Sequence, residues 1–183
     1  MSLMDAPAYD EHGEKRRIVL YASISATIAL LIVLFFLGYL LGHGWFFSNL
    51  PAEHKVNKFF TALEQKDYSK AYGIYENDAD WQQHPDKFKQ YPLARFTEDW
   101  TTESPVNAPI TSHHVDISKT DGSGFWGTGI IVATRVNLQD GIPKARLGEM
   151  HSTLPGHKIF LYVDRADGTL TDAPHVLQYA SEY

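Results

Sequence analysis

The chain has 183 residues, with 16 Lys and Arg against 22 Asp and Glu, a net charge of −6, and 44% hydrophobic residues. The acidic balance argues against nucleic acid as a partner, which calls for a basic patch. The absence of cysteine excludes disulfides, thiolate metal sites, haem attachment through Cys-x-x-Cys-His and a cysteine nucleophile.

Met1 to Glu14 is polar and without period, as expected of a disordered tail. Ile18 to Leu41 then runs for 24 residues with no charge, no proline and one glycine, Gly38. At about 1.5 Å per residue this helix is roughly 36 Å long, enough to cross a hydrocarbon core of about 30 Å with some tilt. Ser23, Ser25 and Thr27 can bond back to the helix's own carbonyls. A cleaved secretory signal would carry an apolar region of about 7 to 15 residues and a small-residue cleavage site. This stretch is longer, and the GHGWFF after it is a poor site, so an uncleaved anchor is expected.

Lys15, Arg16 and Arg17 abut the start of the span, whereas the first lysine beyond it is Lys55. The positive-inside rule therefore puts the N-terminus in the cytoplasm and the rest in the periplasm, across an inner membrane. Tyr21, Tyr39 and Trp45 fit the interfacial aromatic belts. The expected organisation is a cytoplasmic tail over 1–17, a transmembrane helix over 18–41, a linker over 42–51 and one extracytoplasmic domain over 52–183. Discounting four anions and three cations in the tail, that domain carries a net charge of −5. Ala22, Ser25, Ala26 and Ala29 recur three and four apart, a small-residue stripe that lets another helix approach closely.

Asn49 is placed to cap a new helix with Pro51 in its first turn, and Val56, Phe59, Phe60 and Leu63 mark its apolar face. Asp67 is a second cap, followed by a stripe of Tyr68, Ala71, Tyr72 and Tyr75. His84-Pro85 breaks the chain, with Pro85 suited to the first turn of a short helix through Phe88; Leu93, Phe96 and Trp100 recur at helical spacing after Pro92. The pattern then turns to strands. Ile110 to Lys119 predicts one with Thr111, His113, Val115 and Ile117 on one face. Phe125 to Leu138 predicts a second, with Trp126, Thr128, Ile130, Val132, Thr134 and Val136 on one side and Gly127 and Gly129 marking a bend or bulge. The two read as an antiparallel hairpin. Lys158 to Asp164 predicts a third strand and Asp167-Gly168 a turn. Helices followed by an antiparallel sheet make an α+β domain.

VNKFFTALEQKDYSKAYGIY, Val56 to Tyr75, resembles the opening of the NTF2-like (cystatin-like) superfamily: an apolar helix, an acidic-residue turn and an Ala-Tyr-rich second helix. The hairpin and VDRADGTL, Val163 to Leu170, resemble its sheet, so the likeness covers about residues 52 to 170. It implies a cone of helices on a curved antiparallel sheet with a pocket between them. It also implies catalytic candidates, because some relatives place Asp, His and Tyr inside the cone; here these are Tyr72, Asp99 and His113. The long Gln139–His157 connection departs from the family's pattern.

His113 and His114, adjacent on a strand, point to opposite faces and make no one-sided metal pair. His43 is a candidate haem or chlorin ligand, but an ordinary interfacial histidine is the commoner case, so no metal and no cofactor is expected. No nucleophile elbow, P-loop or dinucleotide fingerprint occurs. The 19 residues Gln139 to His157 include Ile142, Lys144, Arg146, Leu147 and Met150, a mixture of apolar and basic side chains suited to a partner's surface. The expected function is a non-catalytic, single-pass accessory subunit of a bacterial membrane complex, with respiratory and photosynthetic assemblies as natural hosts. The partners expected are its other subunits and the bilayer. The rival reading is a membrane-tethered enzyme or small-ligand binder using the cone pocket.

Overall fold

The computed structural model describes residues 11–40, 43, 46–103, 108–122, 127–139 and 157–177. Helix α1 (Glu11–Leu40) comes first, followed by α2 (Phe46–Glu64), α3 (Tyr68–Tyr75), a 3-10 turn at Trp81–Gln83 and α4 (Leu93–Asp99). The strands are β1 (Ile110–Asp121), β2 (Gly129–Leu138), β3 (His157–Asp164) and β4 (Leu170–Asp172). They form one antiparallel sheet in sequential order β1-β2-β3-β4. The molecule is therefore α+β, with an apolar N-terminal helix.

By length and composition α1 is the one helix among the described residues able to cross a membrane. Its large apolar side chains are exposed along its length, from Ile18 and Val19 through Ile28 to Phe36 and Leu40. Ser23 and Thr27 hydroxyls donate to the carbonyls of Leu20 and Ser23 in the preceding turn of the helix. The helix also takes in Glu11 to Arg17, so the last part of the expected tail belongs to the same helix as the apolar stretch.

Helix α2 buries Ala52, Val56, Phe59, Phe60 and Leu63, one face at helical spacing, against the sheet. It starts earlier than its capping pattern predicts. Phe46 to Pro51 belong to the helix and not to a linker, and Asn49 is a buried interior residue instead of a cap. Asn49 has stronger partners across the fold than at a helix end. Pro51 remains tolerable one turn in, where it removes a single donor from the ladder.

Both α2 and α3 end on a left-handed residue that is not glycine. At the first, Lys66 (φ 58°) lies between Lys66 N–H to Leu63 O and Asp67 N–H to Ala62 O; at the second, Asn77 (φ 53°) lies between Asn77 N–H to Ile74 O and Asp78 N–H to Gly73 O. Each pair is a Schellman closure. Asp67 caps α3 by accepting from Lys70 N–H at 3.0 Å, as its sequence position predicts. Asn77 also donates to Asp167 O at 2.6 Å, while Lys55 donates to both Asn77 Oδ1 and Gly168 O. The β3–β4 turn is thereby fastened to α2 and α3. Gly168 (φ 76°) suits that turn because an added Cβ would lie 2.7 Å from the Asn77 amide. Burial holds the Lys55 ammonium below the usual lysine range, against the pull of Asp167.

The helix expected at Pro85 to Phe88 is instead a run of turns closed by Lys87 N–H to His84 O and Phe88 N–H to Pro85 O. His84 is engaged with Asp78, which pins the segment after one turn. Trp100 closes α4 from a buried position, as its spacing predicts.

The helix-facing side of the sheet carries Ile110, His113, Val115, Ser118 and Thr120 from β1 against Leu138, Val136, Thr134, Val132 and Ile130 from β2. On β2 the alternation matches the sequence prediction for Ile130 to Val136. Thr128 precedes the strand, and Trp126 lies outside the described residues. On β1 the expected face breaks: register shifts between Ile110 and Ser112 and between Val115 and Ile117 skip Thr111 and Asp116. An extra residue at a bulge reverses every later side chain. Ile117 therefore packs on the opposite face with Ile131, Ala133 and Leu177. Asp116 on that face accepts from Arg135 Nε at 2.7 Å and lies 2.6 Å from Nη2. Gly127 is required by close approach, because an added Cβ would lie 1.7 Å from Asp121 O; at Gly129 an added Cβ would lie 2.2 Å from the Tyr162 ring, which would have to move aside.

Strands β2 and β3 pair from Gly129 with Asp164 to Val136 with His157, so the long connection joins neighbouring strands. Its candidate contact residues Ile142, Lys144, Arg146, Leu147 and Met150 lie outside the described residues, as do Trp45 and the tail 1–10.

Candidate functional site

The interior between helices and sheet is filled with rings. Phe59 packs on Phe60, Tyr75, Phe96 and Trp100, with centroids 4.9 to 6.2 Å apart. Tyr72 is fully buried among Trp81, Phe88 and Phe96. Most of these pairs are edge-on or tilted, the arrangement ring quadrupoles favour.

The three candidate catalytic residues are each committed to bonds within the fold. Tyr72 donates its hydroxyl to Tyr91 O at 2.6 Å, and burial, with help from the Glu76 charge, pushes its phenol up to about 12. Asp99 accepts from Tyr91 Oη at 2.9 Å and pairs with Arg95 at 2.9 Å. Burial raises Tyr91, and its bond to the Asp99 carboxylate raises it further; burial also raises Tyr75, reinforced by the Asp172, Glu76 and Asp99 charges. The Tyr91 backbone and side chain thus connect Tyr72 to Asp99. His113 lies elsewhere, between β1 and α2. Its Nδ1 lies 2.5 Å from the Glu64 carboxylate, its Nε2 2.9 Å from the Asn57 side-chain amide, and its ring 5.5 Å from Phe60. With both nitrogens engaged, His113 ties the end of α2 to β1. The expectation that Tyr72, Asp99 and His113 share one site gains Tyr72 and Asp99 through Tyr91, while His113 belongs to a separate cluster.

A second group, which the sequence pattern did not single out, lies where α1 gives way to α2. His43 N–H closes the end of α1 on Gly38 O at 3.0 Å, and His43 Nδ1 donates to Glu53 Oε1 at 2.9 Å. The same oxygen accepts from Ser118 Oγ at 2.5 Å. Ser118 in turn accepts from Asn49 Nδ2 at 3.0 Å, and Asn49 Oδ1 accepts from Ser48 Oγ at 2.8 Å. Asn49, Glu53 and Ser118 are all buried. Buried polar groups of this kind cost stability unless every partner is in place, and here each has one. The readable signal was Asn49 and Glu53 standing four apart, in phase with Val56 and Phe60 on the apolar stripe. This network engages His43 Nδ1 between the end of α1 and α2. Among the described residues one buried hydroxyl on the same side of the sheet, Thr134 Oγ1, has no hydrogen-bond partner.

Among the described residues no three His, Asp or Glu side chains gather as a metal site. The stripe Ala22, Ser25, Ala26 and Ala29 is exposed on α1. In comparisons with known proteins, no family model, no curated protein and no solved structure matches the chain.

Proposed function

We propose that the chain is a non-catalytic single-pass accessory subunit of a bacterial membrane protein complex. Its span docks among other subunits, and its NTF2-like domain packs on the periplasmic face. The observation that carries this reading is how the candidate catalytic atoms are used. Tyr72 Oη, the Asp99 carboxylate and both His113 nitrogens are bound to groups of the same chain, and Phe59, Phe60, Phe96 and Trp100 occupy the interior. An acid–base site needs such groups aimed at a substrate.

Three helices and a sequentially ordered antiparallel sheet, with rings between them, support the NTF2-like reading of the fold. The cations next to the start of α1 support a cytoplasmic N-terminus. The exposed small residues of α1 support helix docking in the bilayer.

Mild solubilisation followed by native electrophoresis tests the proposal. The protein is expected in a larger assembly. Migration only as a free species near 20.7 kDa would defeat the reading. A small molecule copurifying with the tagged full-length protein in place of other polypeptides would favour the tethered binder or enzyme.

A further inference from the structure

After Arg17 the sequence carries no charged side chain until Glu53, an uncharged run of 35 residues over 18–52. A span needs only about 20 of them. The remainder reaches into the first turns of α2, through Phe46, Phe47, Leu50 and Ala52. The first charge to appear, Glu53, is turned into the domain and bonded to Ser118 and His43. Asn49 and Ala52 are likewise buried, whereas Leu50 is 46% exposed.

The position of this exposed leucine is fixed. Leu50 is three residues from Glu53, within one helical turn of about 5.4 Å. Glu53 is bonded to His43, three residues beyond the last residue of α1. The start of α2 therefore lies at the end of the anchor. An exposed leucine alone on a protein surface is ordinary. One held at the membrane exit, in an uncharged helical stretch whose Asn49 is buried in the domain, has the make-up of an interfacial helix.

We infer that α2 meets the membrane at Leu50, one turn in from its start, with that side chain seated at the boundary between lipid headgroups and acyl chains. The polar network of His43, Glu53, Ser118 and Asn49 holds it there by fixing α2 against both the anchor and the sheet. The inference rests on α1 being a span.

Because the chain has no cysteine, single-cysteine variants can carry a nitroxide at one chosen place. The full-length protein, with no other polypeptide, is placed in lipid vesicles as Ile28→Cys, Leu50→Cys or Gln65→Cys. Collision of the label with oxygen, which concentrates in lipid, is compared with collision with a water-soluble nickel chelate. The expected result is a lipid-like ratio at Ile28, a shift toward lipid at Leu50 and a water-like ratio at Gln65. A water-like ratio at Leu50 with Ile28 still lipid-like, as a solvated turn would give, overturns the inference and leaves the span standing; so does a Leu50 label shielded from both reagents, as a protein-covered turn would give. A water-like ratio at Ile28 overturns the span and the inference together.

Discussion

The two halves of α2 bury different chemistry against the same sheet. Its C-terminal half places Val56, Phe59, Phe60 and Leu63 in an aromatic and aliphatic core. Its N-terminal half places Asn49 and Glu53 against Ser118 and Thr120. The apolar half gains stability from area removed from water, an effect without direction. The polar half gains little net stability, but its bonds have fixed partners and angles. The core therefore holds the domain together, and the polar seam sets how the domain sits on α1.

The sharpest way to break the aromatic half is Phe59→Ala. Phe59 touches four other rings, and its loss is expected to cost about 3–5 kcal/mol, read from urea unfolding in mild detergent. The polar half should respond less in stability. Glu53→Ala removes the acceptor of both Ser118 and His43 and is expected to cost about 1–3 kcal/mol. If the seam orients the domain, that variant also broadens the distance between spin labels on α1 and on the sheet, whereas Phe59→Ala, where it remains folded, does not.

Much of this contrast was legible in the sequence, and the reasons differ by element. The stripe from Val56 to Leu63, the Asp67 cap and the Asp167-Gly168 turn are local patterns, each fixed by residues within a few positions. The alternation of Ile130 to Val136 was readable because β2 is paired on both sides. The reversal of β1 after Val115 was not, because a bulge is set by what the strand meets across the sheet, here Arg135 reaching Asp116. The earlier start of α2 was missed for a related reason. Asn49 is a good cap by type, but burial against Ser118, 69 residues away, decided its place. Of the candidate site, Tyr72 and Asp99 were found as residue types, while Tyr91, which joins them, gave no periodic signal.

The aromatic half also makes a pH prediction. The phenols of Tyr72, Tyr75 and Tyr91 are held above the ordinary tyrosine value, mainly by burial. Above about pH 10 the unfolded chain releases these protons while the folded chain keeps them. The folded state then binds more protons, so stability is intact below pH 10 and falls as pH rises toward 12 for Tyr72. The slope is about 1.4 kcal/mol per pH unit for each tyrosine that ionises only on unfolding. Urea midpoints between pH 9 and pH 11.5 measure it; an unchanged midpoint over that range would show the phenols to be open to water.

The smallest expected effect separates two buried hydroxyls on the same face of the sheet. Ser118 is bonded on both sides, but Thr134 has no partner among the described residues. Thr134→Val is therefore expected to be neutral or stabilising by about 1 kcal/mol, whereas Ser118→Ala destabilises. Equal losses in both variants would mean that Thr134 has a partner in solution.

The central claim is that α1 spans the membrane and carries the domain out of the cytoplasm. Sided labelling of two single-cysteine variants tests it most directly. His12→Cys lies at the start of α1, and Gln65→Cys is exposed just past the end of α2. In intact cells whose outer membrane has been made permeable, a maleimide that cannot cross the inner membrane should label position 65 and leave position 12 unlabelled until the inner membrane is opened. Labelling of position 12 with position 65 protected, or of both or neither before opening, would contradict the account.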